Sequence, residues 1–272
     1  MVDELNALPG HYGWYSEHYG GESMEGKRPF QLKNTMRLDS IREEIDKWNL
    51  DWEDKCVLLT SLIIALDSVD NTIGHYAAYL SGWSKRSSND MVLKLPRRFP
   101  IKTHNKVLQG DVFEAVKNYH DLVYLDPPYG SNNEKMPPSR VRYAAYYHLW
   151  KTIILNDHPH LFGRANRRED SRDTFSPSIF EEYRKNSEGN YLAMRAIKEL
   201  IAHTQAKYIL LSYSSGGRAT KQEIFDIIQT YGKLLSACEI DYRQHVMSHM
   251  RWTNQWVTTD DRYKEYLFLM EK

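Results

Sequence analysis

Asp121-Leu-Val-Tyr-Leu-Asp-Pro-Pro-Tyr129 is the stretch around which this chain is organised. Leu122 to Leu125 is a continuous apolar run, the pattern of a strand buried on both faces of a parallel sheet. Two prolines follow Asp126, and proline lacks the donor that a central strand needs. The chain must therefore leave the sheet at the carboxyl end of the strand, where open α/β sheets bind ligands. A carboxylate (Asp126), a rigid turn with free carbonyls (Pro127, Pro128) and an aromatic ring (Tyr129) are presented together at that edge. This set suits a flat ring bearing an amine. Asp126 and a proline carbonyl can accept both amine hydrogens, which draws the nitrogen lone pair out of conjugation. The Tyr129 ring can stack on the base, an interaction of about 1–3 kcal/mol that needs the ring and not its hydroxyl.

Outward from this stretch, strand and helix alternate. Val107-Leu-Gln-Gly-Asp111 reads as a short strand, followed by a helix-like Val112–Asn118 and then the strand ending at Asp126. A compact strand–helix–strand unit of this kind favours a parallel sheet. Downstream, Lys207–Tyr213 reads as another buried strand, Lys221–Tyr231 as a helix, and Ala237–Val246 and Lys264–Met270 as closing strands. A helix is expected over about 190–203 and another from Tyr143 to about Leu155. Upstream, residues 34–83 carry apolar side chains at three- and four-residue spacings, the mark of packed helices. Residues 1–33 show no period and read as an aromatic, glycine-rich loop. The expected division is a loop and helical region over 1–105, touching nucleic acid, and an α/β catalytic region over 106–272.

With 272 residues there is ample chain for a hydrophobic core. The 36 basic and 36 acidic residues balance, so any nucleic-acid contact must be local. One such patch is Lys85, Arg86, Lys94, Arg97, Arg98, Lys102 and Lys106, opposed only by Asp90; Arg164, Arg167, Arg168 and Arg172 form a second. Both are either phosphate contacts or solvated faces. Cys56 and Cys238 are the only cysteines, which fits a reducing compartment and excludes a Cys-rich zinc site. No metal is expected. No apolar run approaches membrane-spanning length and the amino terminus lacks a signal-peptide pattern, so a soluble, cytoplasmic protein is expected.

Asn71-Thr-Ile-Gly-His-Tyr-Ala-Ala-Tyr-Leu80, Gly110-Asp111, Asp121–Tyr129, Tyr143–Trp150, Leu211-Ser-Tyr213 and Lys264-Glu-Tyr-Leu-Phe268 occur in this order. Together they resemble the Dam-like adenine-specific DNA methyltransferases of restriction-modification type, over most of the chain from about residue 12. The resemblance implies an S-adenosylmethionine-dependent, Rossmann-like methyltransferase fold with a helical insertion. It implies that Asp126, Pro127, Pro128 and Tyr129 hold the target adenine, and that Asp111 and Val112 meet the adenine of S-adenosylmethionine; for Asp111, a helix cap is the competing role. Arg140, Arg142, Tyr146 and His148 fall where the family reaches the flipped nucleotide or its backbone. Double-stranded DNA is the implied substrate, its target base flipped out at a cost of a few kcal/mol. Sequence selectivity is expected in 1–33, 130–142 or 247–257.

One departure stands out. The family's cofactor loop, Pro-Phe-x-Gly-x-Gly after a strand, does not occur in these 272 residues. Either the fold is incomplete at its amino-terminal side, or a separate chain supplies the cofactor-binding half, or the loop is present in a form disguised beyond recognition. Two other readings compete with an adenine methyltransferase: a non-catalytic or split-enzyme DNA-binding fragment, and a methyltransferase for another planar amine (cytosine, an RNA base or a glutamine amide).

Overall fold

In a computed structural model, the structure describes residues 1–22, 28–99, 103–130, 142–172, 175, 178–241 and 264–272. Its helices are α1 (Val2–Ala7), α2 (Trp14–Tyr19), α3 (Leu32–Lys47), α4 (Trp52–Asp67), α5 (Val112–Ala115), α6 (Tyr143–Tyr146), α7 (His148–Leu155), α8 (Leu192–His203) and α9 (Lys221–Tyr231). The main sheet is built from β1 (His120–Leu125), β2 (Ala206–Ser214), β3 (Lys233–Asp241) and β4 (Lys264–Glu271). Two compact units divide the chain: Met1–His104 with Tyr143–Phe175, and Asn105–Arg142 with Ser176–Lys272. The segment 143–175, placed with the second region on sequence grounds, folds with the first unit: Leu149 and Ile153 join its core beside Leu38, Ile41 and Leu62.

In the first unit, the segment 1–33 is not the irregular loop its sequence implies. Its described residues include α1 and α2, and the reason for α2 lies far away in sequence. The buried Asp39 carboxylate, on α3, accepts the backbone N–H groups of Gly13 (3.1 Å), Tyr15 (2.8 Å) and Ser16 (2.9 Å) and the Ser16 hydroxyl (2.6 Å). The first amides of a helix have no partner within it, and here one remote carboxylate supplies several. Arg42, also on α3, does the converse at the other end of α7, donating from Nε to the Ile153 carbonyl (2.7 Å) and from Nη2 to that of Ile154 (3.3 Å). Asp51 caps α4 by accepting from Asp54 N–H at 2.8 Å.

The second unit is a mixed α/β unit whose sheet runs in the order β1-β2-β4-β3. β1 and β2 are parallel, with Leu125 beside Leu211; β4 lies antiparallel to both β2 and β3. One face is packed: Ile209, Leu211, Tyr213, Phe268 and Met270 meet Ala196, Ile197, Leu200, Ile224 and Ile228 of α8 and α9. Each such fully buried side chain contributes about 1.5–3 kcal/mol. The apolar residues of α8 recur at three and four positions, while Arg195 and Glu199 pair at 2.8 Å on its outer side. α9 begins with a capping box between Thr220 and Glu223.

Two expectations about the sheet are corrected. Among the described residues β1 is an edge strand and not a doubly buried one: Leu122 and Tyr124 are 54% and 55% exposed, and of its apolar run only Leu125 is buried. The helix layer covers one face only, so alternate residues of β1 stay open. Val107–Asp111 is not a strand; Val107 and Leu108 are 99% and 85% exposed. A strand needs a neighbour to satisfy its ladder, and among the described residues none lies beside this segment. No helix among them is long and apolar enough to cross a membrane.

The Asp39 contact gives a direct stability test. Asp39→Ala should lower the stability of the first unit by about 3 kcal/mol, because it strands buried backbone amides. Trp14, Trp48 and Trp150 all belong to that unit, so urea unfolding followed by tryptophan fluorescence reads it. A change under about 1 kcal/mol would mean that α2 needs no such anchor.

Candidate functional site

The chain turns out of β1 at Asp126, and what fixes the turn comes from the end of β2. Pairing of Leu125 with Leu211 puts Asp126 level with Ser212. Asp126 is exposed and Pro127 buried, so the carboxylate faces solvent while the turn beneath it is packed. The Tyr129 hydroxyl donates to Asp126 Oδ1 at 2.6 Å and lies 3.0 Å from the Ser212 hydroxyl. Burial first, then the hydrogen bond to Asp126, hold the Tyr129 phenol well above its ordinary pKa, so it remains a donor. The main chain is held as firmly. The Tyr129 carbonyl accepts from Arg218 N–H (2.9 Å) and from the Tyr213 hydroxyl (3.2 Å), which itself accepts from Ala219 N–H (3.1 Å). The Tyr129 and Tyr213 rings lie 5.0 Å apart at 60°. Gly217 packs so tightly on the Tyr213 ring that a side chain there would collide with it. Glu265, on β4, senses the same site: burial and then the Asp126 charge raise its carboxyl pKa.

Asp126, Pro127, Pro128 and Tyr129 thus form one turn held by Ser212, Tyr213 and Arg218. The last three were not picked out individually from sequence, although Leu211-Ser-Tyr213 was noted as a block. A serine and a tyrosine at the end of a strand carry no local signal; only the β1–β2 register reveals them. The Tyr129 hydroxyl was likewise given no role, yet it orients the carboxylate.

The other residues singled out by sequence are dispersed. Asp111 caps α5, its side chain accepting from Phe113 N–H at 2.7 Å, and Val112 packs partly against the core of the second unit. Arg142, in the second unit, is buried and donates to the Glu181 carbonyl at 3.0 Å. In the first unit, Tyr146 stacks on His75 with ring centres 4.2 Å apart. His148 is buried, its Nε2 2.9 Å from the Tyr76 carbonyl. Arg168 is buried between Asp157 (2.7 Å) and Asp170 (2.6 Å); Arg172 pairs with Glu169 and lies over the Phe162 ring, as does Arg167. Those guanidinium groups are engaged in local pairs. Arg97 and Arg98 are exposed, Arg97 resting over Phe99, whereas Arg86 is paired with Asp70. Arg140, Lys102 and 247–257 lie outside the described residues.

A carboxylate and an aromatic ring are thus fixed together at the carboxyl end of a parallel strand in an α/β unit. Comparison with known proteins gives the class. The family model for D12 class N6 adenine-specific DNA methyltransferases matches residues 6–224, and the chain belongs to that family. Modification methylase StsI of Streptococcus sanguinis is 31% identical over 225 residues, 79% of this chain and 31% of that protein. Type II methyltransferase M.FokI of Planomicrobium okeanokoites is 28% identical over 95% of this chain and 36% of its own length. For type II methyltransferase M.NlaIII of Neisseria lactamica the identity is 27%, over 100% of this chain and 75% of that protein. The chain therefore spans about a third of the length of the first two relatives. No solved structure matches it.

The family implies S-adenosylmethionine as methyl donor. The residues here do not by themselves make a seat for it. Asp111 is occupied as a helix cap, a side chain added at Gly110 would meet nothing within 4 Å, and the sequence holds no Gly-rich cradle.

His148 allows a pH test within the first unit. Burial lowers its pKa from 6.5 to about 4. The folded state then binds fewer protons than the unfolded one between those values. The stabilisation is fully present above pH 6.5, declines as pH falls, and is gone by about pH 4, roughly 3 kcal/mol in all. Urea unfolding of His148→Leu against the parent at pH 7 and pH 4.5 reads the difference. The variant should lose less stability on acidification; equal losses would show that His148 is protonated in the fold.

Proposed function

We propose that this chain carries out the base-handling step of site-specific methylation of the adenine exocyclic amine in DNA, with S-adenosylmethionine, the donor its family implies, as the source of the methyl group. The reading extends to the whole sheet a Rossmann-like methyltransferase plan, of which the described strands form one part. The observation that carries it is the Asp126–Tyr129 turn, clamped at its hydroxyl by Ser212 and at its carbonyl by Tyr213 and Arg218. The family, described as adenine-specific DNA methyltransferases, supports the choice of DNA.

Asp126 accepts one hydrogen of the amine and a proline carbonyl accepts the other. The nitrogen lone pair is then localised and aimed out of the ring plane. This arrangement works mainly by position: a preorganised acceptor is placed where positive charge develops on nitrogen. Tyr129 has two tasks, stacking on the extruded ring and fixing the carboxylate through its hydroxyl. A base must leave the duplex to reach such an edge, and the face of Tyr129 replaces some of the lost stacking.

The test is product analysis with this chain together with a polypeptide that carries the family's strand and Gly-rich cofactor loop, labelled S-adenosylmethionine and DNA. N6-methyladenine is expected from the pair, and negligible transfer from this chain alone. Asp126→Ala should lower the yield of the pair by about a thousandfold, the scale for removing a preorganised catalytic hydrogen-bonding group, with DNA affinity nearly unchanged. Tyr129→Ala should be as damaging, and Tyr129→Phe intermediate because it keeps the ring but frees the carboxylate. Methylation of cytosine or of a glutamine amide, or no transfer to DNA by the pair, would contradict the proposal.

A further inference from the structure

Arg218 sits at the end of the Asp-Pro-Pro-Tyr turn and is only 6% exposed. Its backbone N–H holds the Tyr129 carbonyl, yet its side chain is poorly provided for. The guanidinium carbon lies 5.3 Å from the centre of the Tyr191 ring, and the guanidinium also donates a side-chain hydrogen bond to Tyr191. Nε and Nη2 are both buried and have no hydrogen-bond partner. These two nitrogens share one edge of the guanidinium and make the side-on fork that fits two oxygens of a phosphate or carboxylate.

The surroundings do not supply an anion. Among the described residues no carboxylate forms an ion pair with Arg218. Arg142, also buried at 6% exposure, adds a second positive charge nearby; its nearest carboxylate oxygen, on Glu181, is 4.0 Å away. Burial foremost, and the Arg142 charge in addition, lower the proton affinity of Arg218 below the ordinary arginine value, though a guanidinium stays charged. Leaving a buried cation with two N–H groups unmet is costly, so such an arrangement calls for a ligand. Gly130 lies against the fork: a side chain there would stand 2.8 Å from Arg218 Cγ and 2.9 Å from Nε. With φ of +66° the position already favours glycine, and the missing side chain permits close approach to the fork.

We propose that the Arg218 guanidinium, beside Gly130 and one residue beyond the base-handling turn, is a phosphate-binding residue that grips a phosphodiester of the DNA strand bearing the target base. The proposal deepens the DNA reading above, and rests on it for the identity of the strand. Holding that phosphate next to Tyr129 fixes the backbone about which the nucleotide rotates. It contributes to binding irrespective of base identity.

Anisotropy of a labelled duplex with the full chain tests this across a salt series. Arg218→Lys keeps the charge but loses the fork; it should weaken binding about tenfold on every sequence, including duplexes without the methylated site. Arg218→Ala should in addition reduce the log–log salt slope by about 0.9, the value for one lost phosphate contact. Unchanged affinity in both variants overturns the proposal. Should these variants not fold, Gly130→Ala, which displaces the guanidinium, is expected to give the same loss, and normal affinity there also overturns it. In a second arm inorganic phosphate is the probe. If it raises the melting temperature of the parent and not of Arg218→Lys while both bind duplex equally, the seat takes free phosphate and the DNA assignment fails. The adenine reading fails separately. Weakened binding by the variants without any N6-methyladenine from the parent supplied with the cofactor-loop polypeptide would remove that reading and leave the phosphate contact standing.

Discussion

The parallel register of β1 on β2 is the constraint on which this site depends. It sets Asp126 level with Ser212, and every other contact in the turn follows. Shift the pairing by one residue and Ser212 would face the opposite side of the sheet. The Tyr129 hydroxyl would then have Asp126 alone, and its carbonyl would lose Tyr213. The apolar face under the strands secures that register, because Ile209, Leu211 and Tyr213 must all remain against α8 and α9. Core packing and site geometry are therefore one arrangement seen from two sides.

A hydrogen-bonded carboxylate at the edge of a sheet is a modest catalytic device, and its chemistry needs little more. The amine requires an acceptor fixed in direction, a flat surface and a held backbone. In the proposed function Asp126 is that acceptor and Tyr129 that surface, and by inference Arg218 holds the backbone. Fixing the acceptor is what the surrounding hydrogen bonds accomplish: Ser212, Tyr213 and the Arg218 amide leave the turn few ways to relax. The same logic explains why many arginines flagged by composition sit elsewhere. Arg168 and Arg172 face carboxylates from their own segment and stabilise local structure.

Much of this was legible in sequence where the signal is local. The Asp-Pro-Pro-Tyr turn reads directly, because proline forbids the strand to continue. The α9 boundaries were recovered as expected, since a capping box and apolar spacing mark them. What was not legible depends on distant partners. The start of α2 owes its satisfied amides to Asp39 on α3, and a stretch of glycine and aromatic residues gives no hint of it. Val107–Asp111 has a strand's composition but no neighbour to pair with, so composition misled. The apolar run of β1 by itself reads as doubly buried, whereas the missing amino-terminal cofactor loop points to an edge at Leu122–Leu125 that is less covered, as it is among the described residues. Ser212 and Tyr213 were hidden for the same reason: their partners are more than eighty positions away in the chain.

The central claim is that Asp126 receives the amine of an extruded adenine while Tyr129 stacks on its ring. A structure of the full chain with an adenine-containing duplex tests it most directly. The account predicts the exocyclic nitrogen about 3 Å from an Asp126 oxygen, the ring plane parallel to Tyr129, and the Tyr129–Asp126 hydrogen bond retained. An adenine still stacked in the duplex, or one seated away from Asp126, would contradict it.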